Sequence, residues 1–349
     1  MKTTGEIKDL LQKKELDSTL LDIYLDESRL DYQRQRYIDA LTRYEELYGA
    51  GEIAIFSAPG RSEIGGNHTD HQHGEVLAAS INLDAIAITA PVDEPVVRVV
   101  SDGYDMITVS LDDLAVKEEL KGTTDSLIRG VLEGIQKHGG KIGGFRAYIT
   151  SDVLIGAGLS SSAAFETIIG TIISGIYNDM KLSPVDIAII GQYAENVHFG
   201  KPSGLMDQMA SSVGSLVHID FADVAHPVIE NVSCDLAKYG YSLCITDTKG
   251  SHADLTPDYA ASNVGLVTAY IAGADDYYNY HLYLNNANTG VVDDDGTTYT
   301  VDGSGVVTVT APDSDPATYA PVDFDAVGVT AVDDHTLTYT LTYDFPGFL

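Results

Sequence analysis

A chain of 349 residues that is 44% hydrophobic is long enough to build two lobes, or a domain with an appendage, around substantial cores. Its 52 acidic residues against 20 basic ones leave a formal net charge of −32, which disfavours a nucleic-acid or anionic membrane surface as partner; an ionic substrate would need a local basic patch. The only cysteines, Cys234 and Cys244, form neither a disulfide framework nor a zinc pattern and read as small buried apolar residues.

Met1 to Leu16 mixes Lys and Glu with apolar residues and has no unbroken apolar run, so neither a signal peptide nor a membrane span is expected and the cytoplasm is the expected compartment. Arg29 to Tyr48 has apolar residues at helical spacing and predicts a helix ending at Gly49. Ile53 to Ser57, Ala85 to Ala90, Val96 to Val100 and Ile107 to Leu111 predict strands. A helix follows over Thr124 to His138, stopped by Gly139, then a strand over Phe145 to Thr150. Ser160 to Tyr177 and Pro184 to His198 predict two more helices. Strands and helices interleave without strict alternation, which predicts an α+β fold rather than a doubly wound sheet.

The chain then changes character. Lys249 is the last basic residue and Glu230 the last Glu, while 13 Asp follow Ala261 with no compensating cation. This acidic segment is not low in complexity. Alternating β-branched stretches at Gly305 to Thr310 and Thr336 to Thr342 predict strands rather than disorder.

Gly156-Ala157-Gly158-Leu159-Ser160-Ser161-Ser162-Ala163-Ala164 lies between a predicted strand and a long apolar helix. Small residues there admit close backbone approach. Helix-start N–H groups, the helix dipole and three hydroxyls suit an anion such as a nucleotide's phosphates. No Lys follows the last Gly, so this is not a P-loop. By itself the stretch reads equally as a glycine turn with a serine N-cap.

The same stretch resembles the nucleotide loop of the superfamily of galactokinase, homoserine kinase, mevalonate kinase and phosphomevalonate kinase, the GHMP kinases. Ala58-Pro59-Gly60-Arg61-Ser62-Glu63-Ile64-Gly65-Gly66-Asn67-His68-Thr69-Asp70 resembles the galactokinase signature, and Lys201-Pro202-Ser203-Gly204-Leu205-Met206-Asp207-Gln208 resembles the segment with that family's catalytic Asp. The order and spacing of the three fit galactokinases better than their relatives. Residues 62–64 and positions 67 and 71 depart from the commoner family version, which has Val-Asn-Leu, Glu and Tyr where this chain has Ser62-Glu63-Ile64, Asn67 and His71.

The resemblance covers residues 1–260. It implies a two-lobed GHMP-kinase-like fold that phosphorylates galactose at its C1 hydroxyl, with ATP, Mg²⁺ and galactose as ligands and no nucleic acid, membrane or specific protein partner. In this implication Asp207 orients the hydroxyl and accepts its proton, and Arg61 supports Asp207 and the phosphoryl charge. Asn67, His68, Asp70, Gly204 and Tyr259 fall at sugar positions. Gly156, Gly158, Leu159, Ser160, Ser161, Ser162 and Ala163 fall at nucleotide positions, and Ser162 and Glu195 at metal-ligand positions. Read singly, several of these have plainer roles: Asp207 as an N-cap, Arg61 as a surface ion pair, Glu195 as a solvated helix carboxylate, Tyr259 in a capped turn. His71 and His73 lack a third ligand nearby and read as solvated loop histidines.

Nothing after Ala261 resembles the family's third glycine-rich motif, so the second lobe is expected to be truncated and activity impaired. Residues 327–341 and 345–349 instead carry a resemblance, over about residues 270–349, to an internal fragment of the extracellular peptide-binding proteins of ABC transporters, solute-binding family 5. The expected organisation is a galactokinase-like region over 1–260 and a foreign, acidic, β-rich segment over 261–349. A non-catalytic galactose- or nucleotide-binding fusion, or a related sugar kinase, is the alternative.

Overall fold

Alternation of side chains along one long strand organises the first part of the molecule. Strand β3 (Glu75–Pro91) sends Ala85 and Ala87 into one cluster and Ile86 and Ile88 into another, as a two-residue period requires of a strand covered on both faces. The computed structural model describes residues 1–66, 74–154, 158–223, 226–234, 238, 274–293, 296–312, 314–323, 329–333 and 336–339. The chain divides into two compact units, Met1–Ala253 and Asp254–Leu349.

In the first unit, β3 lies at the centre of an eight-stranded mixed sheet with β1 (Lys2–Thr3), β2 (Glu52–Gly65), β4 (Val96–Ser101), β5 (Ile107–Ser110), β6 (Phe145–Ser151), β7 (Leu216–Asp220) and β8 (Val228–Asn231). The order is β1-β2-β3-β6-β4-β5, with β7 on the first half of β3 and β8 beyond it. All pairs are antiparallel except β4 with β6. Helices α1 (Thr4–Gln12), α2 (Asp17–Tyr24) and α3 (Leu30–Tyr48) cover the face of Ile86 and Ile88 through Leu11, Leu20, Leu41 and Tyr44. A buried polar knot fixes this layer: Arg36 Nη1 donates to Asp84 Oδ1 at 2.6 Å and Tyr24 donates to Asp84 Oδ2 at 2.9 Å.

The opposite face carries α4 (Thr124–Lys137), α5 (Ser161–Tyr177) and α6 (Pro184–Tyr193), packed through Ile128, Leu132, Ile168, Ile172 and Ile190. The expected single helix Pro184 to His198 is instead α6 followed by a π-helical turn, Ala194–Phe199. Gly130 of α4 permits the contact, since a Cβ there would lie 2.6 Å from the Ala194 Cα. Helix α7 (Met206–Val213) closes the end near β7 with Met206 and Met209 fully buried.

Among the described residues no helix is long and apolar enough to cross a membrane. Cys234 is exposed, against the expectation of burial: it follows β8, whose last two residues are also exposed. Cys244 lies outside the described residues.

The second unit contains a helix, α8 (Ala274–Thr289), that the reading of this segment as strand-forming does not anticipate. Its tyrosines and asparagines are weak helix formers, and the segment has no Lys or Arg to pair with its aspartates. Packing compensates. The Tyr280 hydroxyl donates to the Gly305 carbonyl at 3.0 Å, and the Tyr283 ring lies 5.7 Å from that of Tyr299 and 4.7 Å from that of Tyr319. These partners belong to, or adjoin, the antiparallel sheet β11-β10-β9, formed by β9 (Thr298–Val301), β10 (Val307–Thr310) and β11 (Ala317–Tyr319). Strands β12 (Val329–Asp333) and β13 (Thr336–Tyr339) form a separate hairpin with a register shift between Ala331 and Asp333.

Candidate active site

Strand β2 runs well past the expected end at Ser57, with register shifts between Pro59 and Arg61 and between Glu63 and Gly65. Such irregularities re-aim side chains. Arg61 is only 6% exposed, not a surface pair. Its Nε donates to Asp207 Oδ1 at 2.7 Å, its Nη1 to the Gly158 carbonyl at 2.6 Å, and its backbone N–H to the Leu159 carbonyl at 3.1 Å. This closeness of strand and loop requires Gly60, where a Cβ would stand 2.8 Å from the Leu159 oxygen.

Leu159 is buried with Val153 and Ala164, which anchors the loop from below. Ser160 then takes a left-handed conformation, φ +57°, and makes no side-chain cap to α5. Its hydroxyl donates to Asp207 Oδ2 instead. Asp207 is the second residue of α7 rather than its N-cap, which is Leu205. The Asp207 carboxylate is thus held from both oxygens, by a guanidinium and an alcohol, at the start of a helix where negative charge is favoured. The side chain remains 30% exposed, so a ligand can reach it.

In the first turn of α5, Ser162 donates to Glu195 Oε1 at 3.1 Å. Glu195 sits on the π turn and is 2% exposed, so it is not a solvated helix carboxylate. Its Oε1 also accepts from Lys201 Nζ at 2.9 Å and its Oε2 from Gln208 Nε2 at 2.9 Å. Two hard oxygens 3.1 Å apart fit Mg²⁺, whose neighbouring octahedral ligands lie about 3 Å from each other. Among the described residues no group of three or more His, Cys, Asp or Glu could hold a metal, so an ion at Ser162 and Glu195 would need further ligands from a bound molecule or solvent.

Residue-by-residue reading missed Glu166, which is fully enclosed and shares Gln208 with Glu195: Gln208 Nε2 donates to Glu166 Oε2 at 3.0 Å. Burial, and then the charge of Glu195, push its carboxyl well above the usual carboxylate range. A signal existed, because Glu166 is the only charged residue between Ser160 and Tyr177. An acid whose pKa is higher in the folded chain keeps its proton there after the unfolded chain has lost it. The contribution of Glu166 to stability therefore falls as pH rises above about 4.3, the ordinary glutamate value. Glu166→Gln should flatten that fall: its melting temperature near pH 8 is expected to equal or exceed that of the unsubstituted chain. A pH slope identical in both proteins would contradict the buried, protonated acid.

The residues brought together are Arg61, Gly158, Leu159, Ser160, Ser162, Glu195 and Asp207, with Ser161 and Ala163 in the first turn of α5. Gly204 lines a concavity with Asn196, Gly200, Pro202 and Ser203, where the Ser203 N–H donates to Asn196 Oδ1 at 2.7 Å. Asn67, His68, Asp70, Gly156 and Tyr259, with His71 and His73, lie outside the described residues.

Residues 42–91 match the galactokinase galactose-binding signature, and residues 126–215 match the GHMP kinases N terminal domain. The chain is 33% identical over 225 residues to a galactokinase of Streptomyces coelicolor, a match that spans 64% of this chain and 57% of that relative's length. The crystal structure of Lactococcus lactis galactokinase complexed with galactose shares the fold, with a TM-score of 0.52 at 22% identity over 65% of this chain and 60% of that one. In its two matched segments and in its fold, the chain is thus similar to the GHMP kinases, and at residues 42–91 to the galactokinases among them.

Proposed function

We propose that the chain transfers the γ-phosphoryl group of ATP to the C1 hydroxyl of galactose, giving galactose 1-phosphate and ADP. The observation that carries this reading is the Asp207 carboxylate, held by Arg61 and already accepting a hydrogen bond from the Ser160 hydroxyl, beside the start of α5. A sugar hydroxyl on Asp207 would be oriented in the same way. As its oxygen bonds to the γ-phosphorus, the bond to the bridging oxygen of ADP breaks and the hydroxyl proton passes to Asp207. Arg61 supplies positive charge both to Asp207 and to the phosphoryl oxygens.

The uncapped first turn of α5 receives the phosphates through backbone N–H groups and the helix dipole, and Gly156, Gly158, Leu159, Ser160, Ser161 and Ala163 are assigned to the nucleotide. Ser162 and Glu195 would hold Mg²⁺, which would supply positive charge against the phosphates when bound. Asn67, His68, Asp70, Gly204 and Tyr259 are assigned to the sugar. Residues from about 261 are read as a segment foreign to the kinase and similar to a fragment of a solute-binding protein; the division of the chain at Ala253 and the loss of all basic residues after Lys249 support this.

The test is ADP release by the full chain with ATP and Mg²⁺, with galactose, with glucose and with neither. Galactose is expected to exceed glucose by roughly tenfold or more, because a mispaired buried hydroxyl costs about 1 to 3 kcal/mol. Equal rates with both sugars would replace galactose by a broader sugar class.

A further inference from the structure

Among the described residues, Lys201 is the one cation set on the carboxylate that the proposed function gives to a metal. Its Nζ lies 2.9 Å from Glu195 Oε1, the same oxygen that accepts from Ser162 at 3.1 Å. The Glu195 side chain is 3% exposed, whereas that of Lys201 is 32% exposed. One member of the pair is therefore fixed and the other has solvent to move into. Glu195 is held further by Gln208 on Oε2, which prevents the carboxylate from following the ammonium outward. The Lys201 backbone is tied down separately, by its N–H on the Glu195 carbonyl at 3.0 Å, so release of the ammonium needs only side-chain rotation.

We infer that Lys201 is a built-in competitor for the divalent cation, its ammonium neutralising Glu195 until a metal ion at Ser162 and Glu195 displaces it. The inference rests on the assignment of Ser162 and Glu195 as metal ligands. The oxygen that would bind the ion already carries two donors, and an ammonium and a divalent cation sharing one carboxylate oxygen repel each other strongly in a poorly solvated setting. The consequence is a lowered metal affinity together with a metal-free protein spared a bare buried carboxylate.

The test uses Mn²⁺ alone, without nucleotide, titrated into the full-length chain and followed by the electron paramagnetic resonance of the free ion. The signal of interest is the binding lost on Glu195→Gln, which removes the contribution of other surface carboxylates. Lys201→Met and Lys201→Gln are each expected to tighten this Glu195-dependent Kd by at least about threefold. Lys201→Arg, which keeps the charge, is expected to stay within about twofold of the unsubstituted chain. Melting without metal adds a readout: Lys201→Met should lower the melting temperature in chelator, and Mn²⁺ should restore more of it than in the unsubstituted chain. Glu195-dependent binding that is unchanged or weaker in Lys201→Met overturns the competitor role alone. Mn²⁺ binding indifferent to Glu195→Gln in both backgrounds overturns the metal-ligand assignment and the competitor role with it.

Discussion

Asp207→Asn is expected to lower galactose-dependent ADP release by about a thousandfold while galactose affinity stays within about tenfold, as befits a general base worth roughly two to four orders of magnitude. Asn nearly preserves the shape of Asp. Its carbonyl oxygen can still accept from Arg61 Nε, now at 2.7 Å from Asp207 Oδ1, so the strand, the loop and α7 should keep their places. What is lost is the group to which the proposed function gives the hydroxyl proton. The measurement is kcat separated from galactose Kd, with a melting curve for each protein. Equal losses in binding and turnover would make Asp207 a structural residue of the β2–α7 junction.

Arg61→Met is expected to reduce turnover by about a hundredfold to a thousandfold and, unlike Asp207→Asn, to destabilise the fold. The guanidinium joins three elements: β2, which it extends from, the Gly158 carbonyl and α7 through Asp207. Methionine fills much of the volume but leaves both acceptors short of a donor. Because Asp207 is 30% exposed, solvent recovers part of the loss, and a destabilisation of about 2 kcal/mol is expected, below the full value for breaking a buried pair. Arg61→Lys should return charge without the two-pronged geometry, and so recover stability better than rate. A melting temperature lowered by Arg61→Met with kcat intact would assign Arg61 to packing alone.

Much of this site could be read from residues whose chemistry matched their local pattern. The helix over Thr124 to His138 and the strand over Phe145 to Thr150 emerge within one residue of their expected ends because Gly139 and a clear hydrophobic period mark them. Arg61, Ser160, Ser162, Glu195 and Asp207 were all candidates, and they converge on two carboxylates. What sequence could not provide was set by tertiary contact. The first half of β3, Glu75 to Asp84, interrupts its apolar residues with Ser80, Asn82 and Asp84, yet is held as strand by β2 and β7. The π turn at Ala194–Phe199 depends on Gly130, 64 positions earlier, allowing backbone to touch backbone. Glu166 was visible as a lone charge in an apolar helix, but its partner Gln208 is 42 residues away. In the sequence Lys201 is legible only as part of a motif, and its meeting with Glu195 follows from the turn at Gly200 that ends the π helix. Helix α8 runs against the propensities of its own residues and depends on tyrosine contacts with the neighbouring strands.

The most direct measurement is phosphorus NMR of the full chain incubated with ATP, Mg²⁺ and galactose, with ADP quantified in the same tube. The expected result is one new phosphomonoester on C1 of galactose, formed in equal amount to ADP and about a thousandfold more slowly in Asp207→Asn. Sugar-independent release of inorganic phosphate, or a phosphate on any other hydroxyl of galactose, would contradict the assignment of Asp207 as the base that delivers the C1 oxygen.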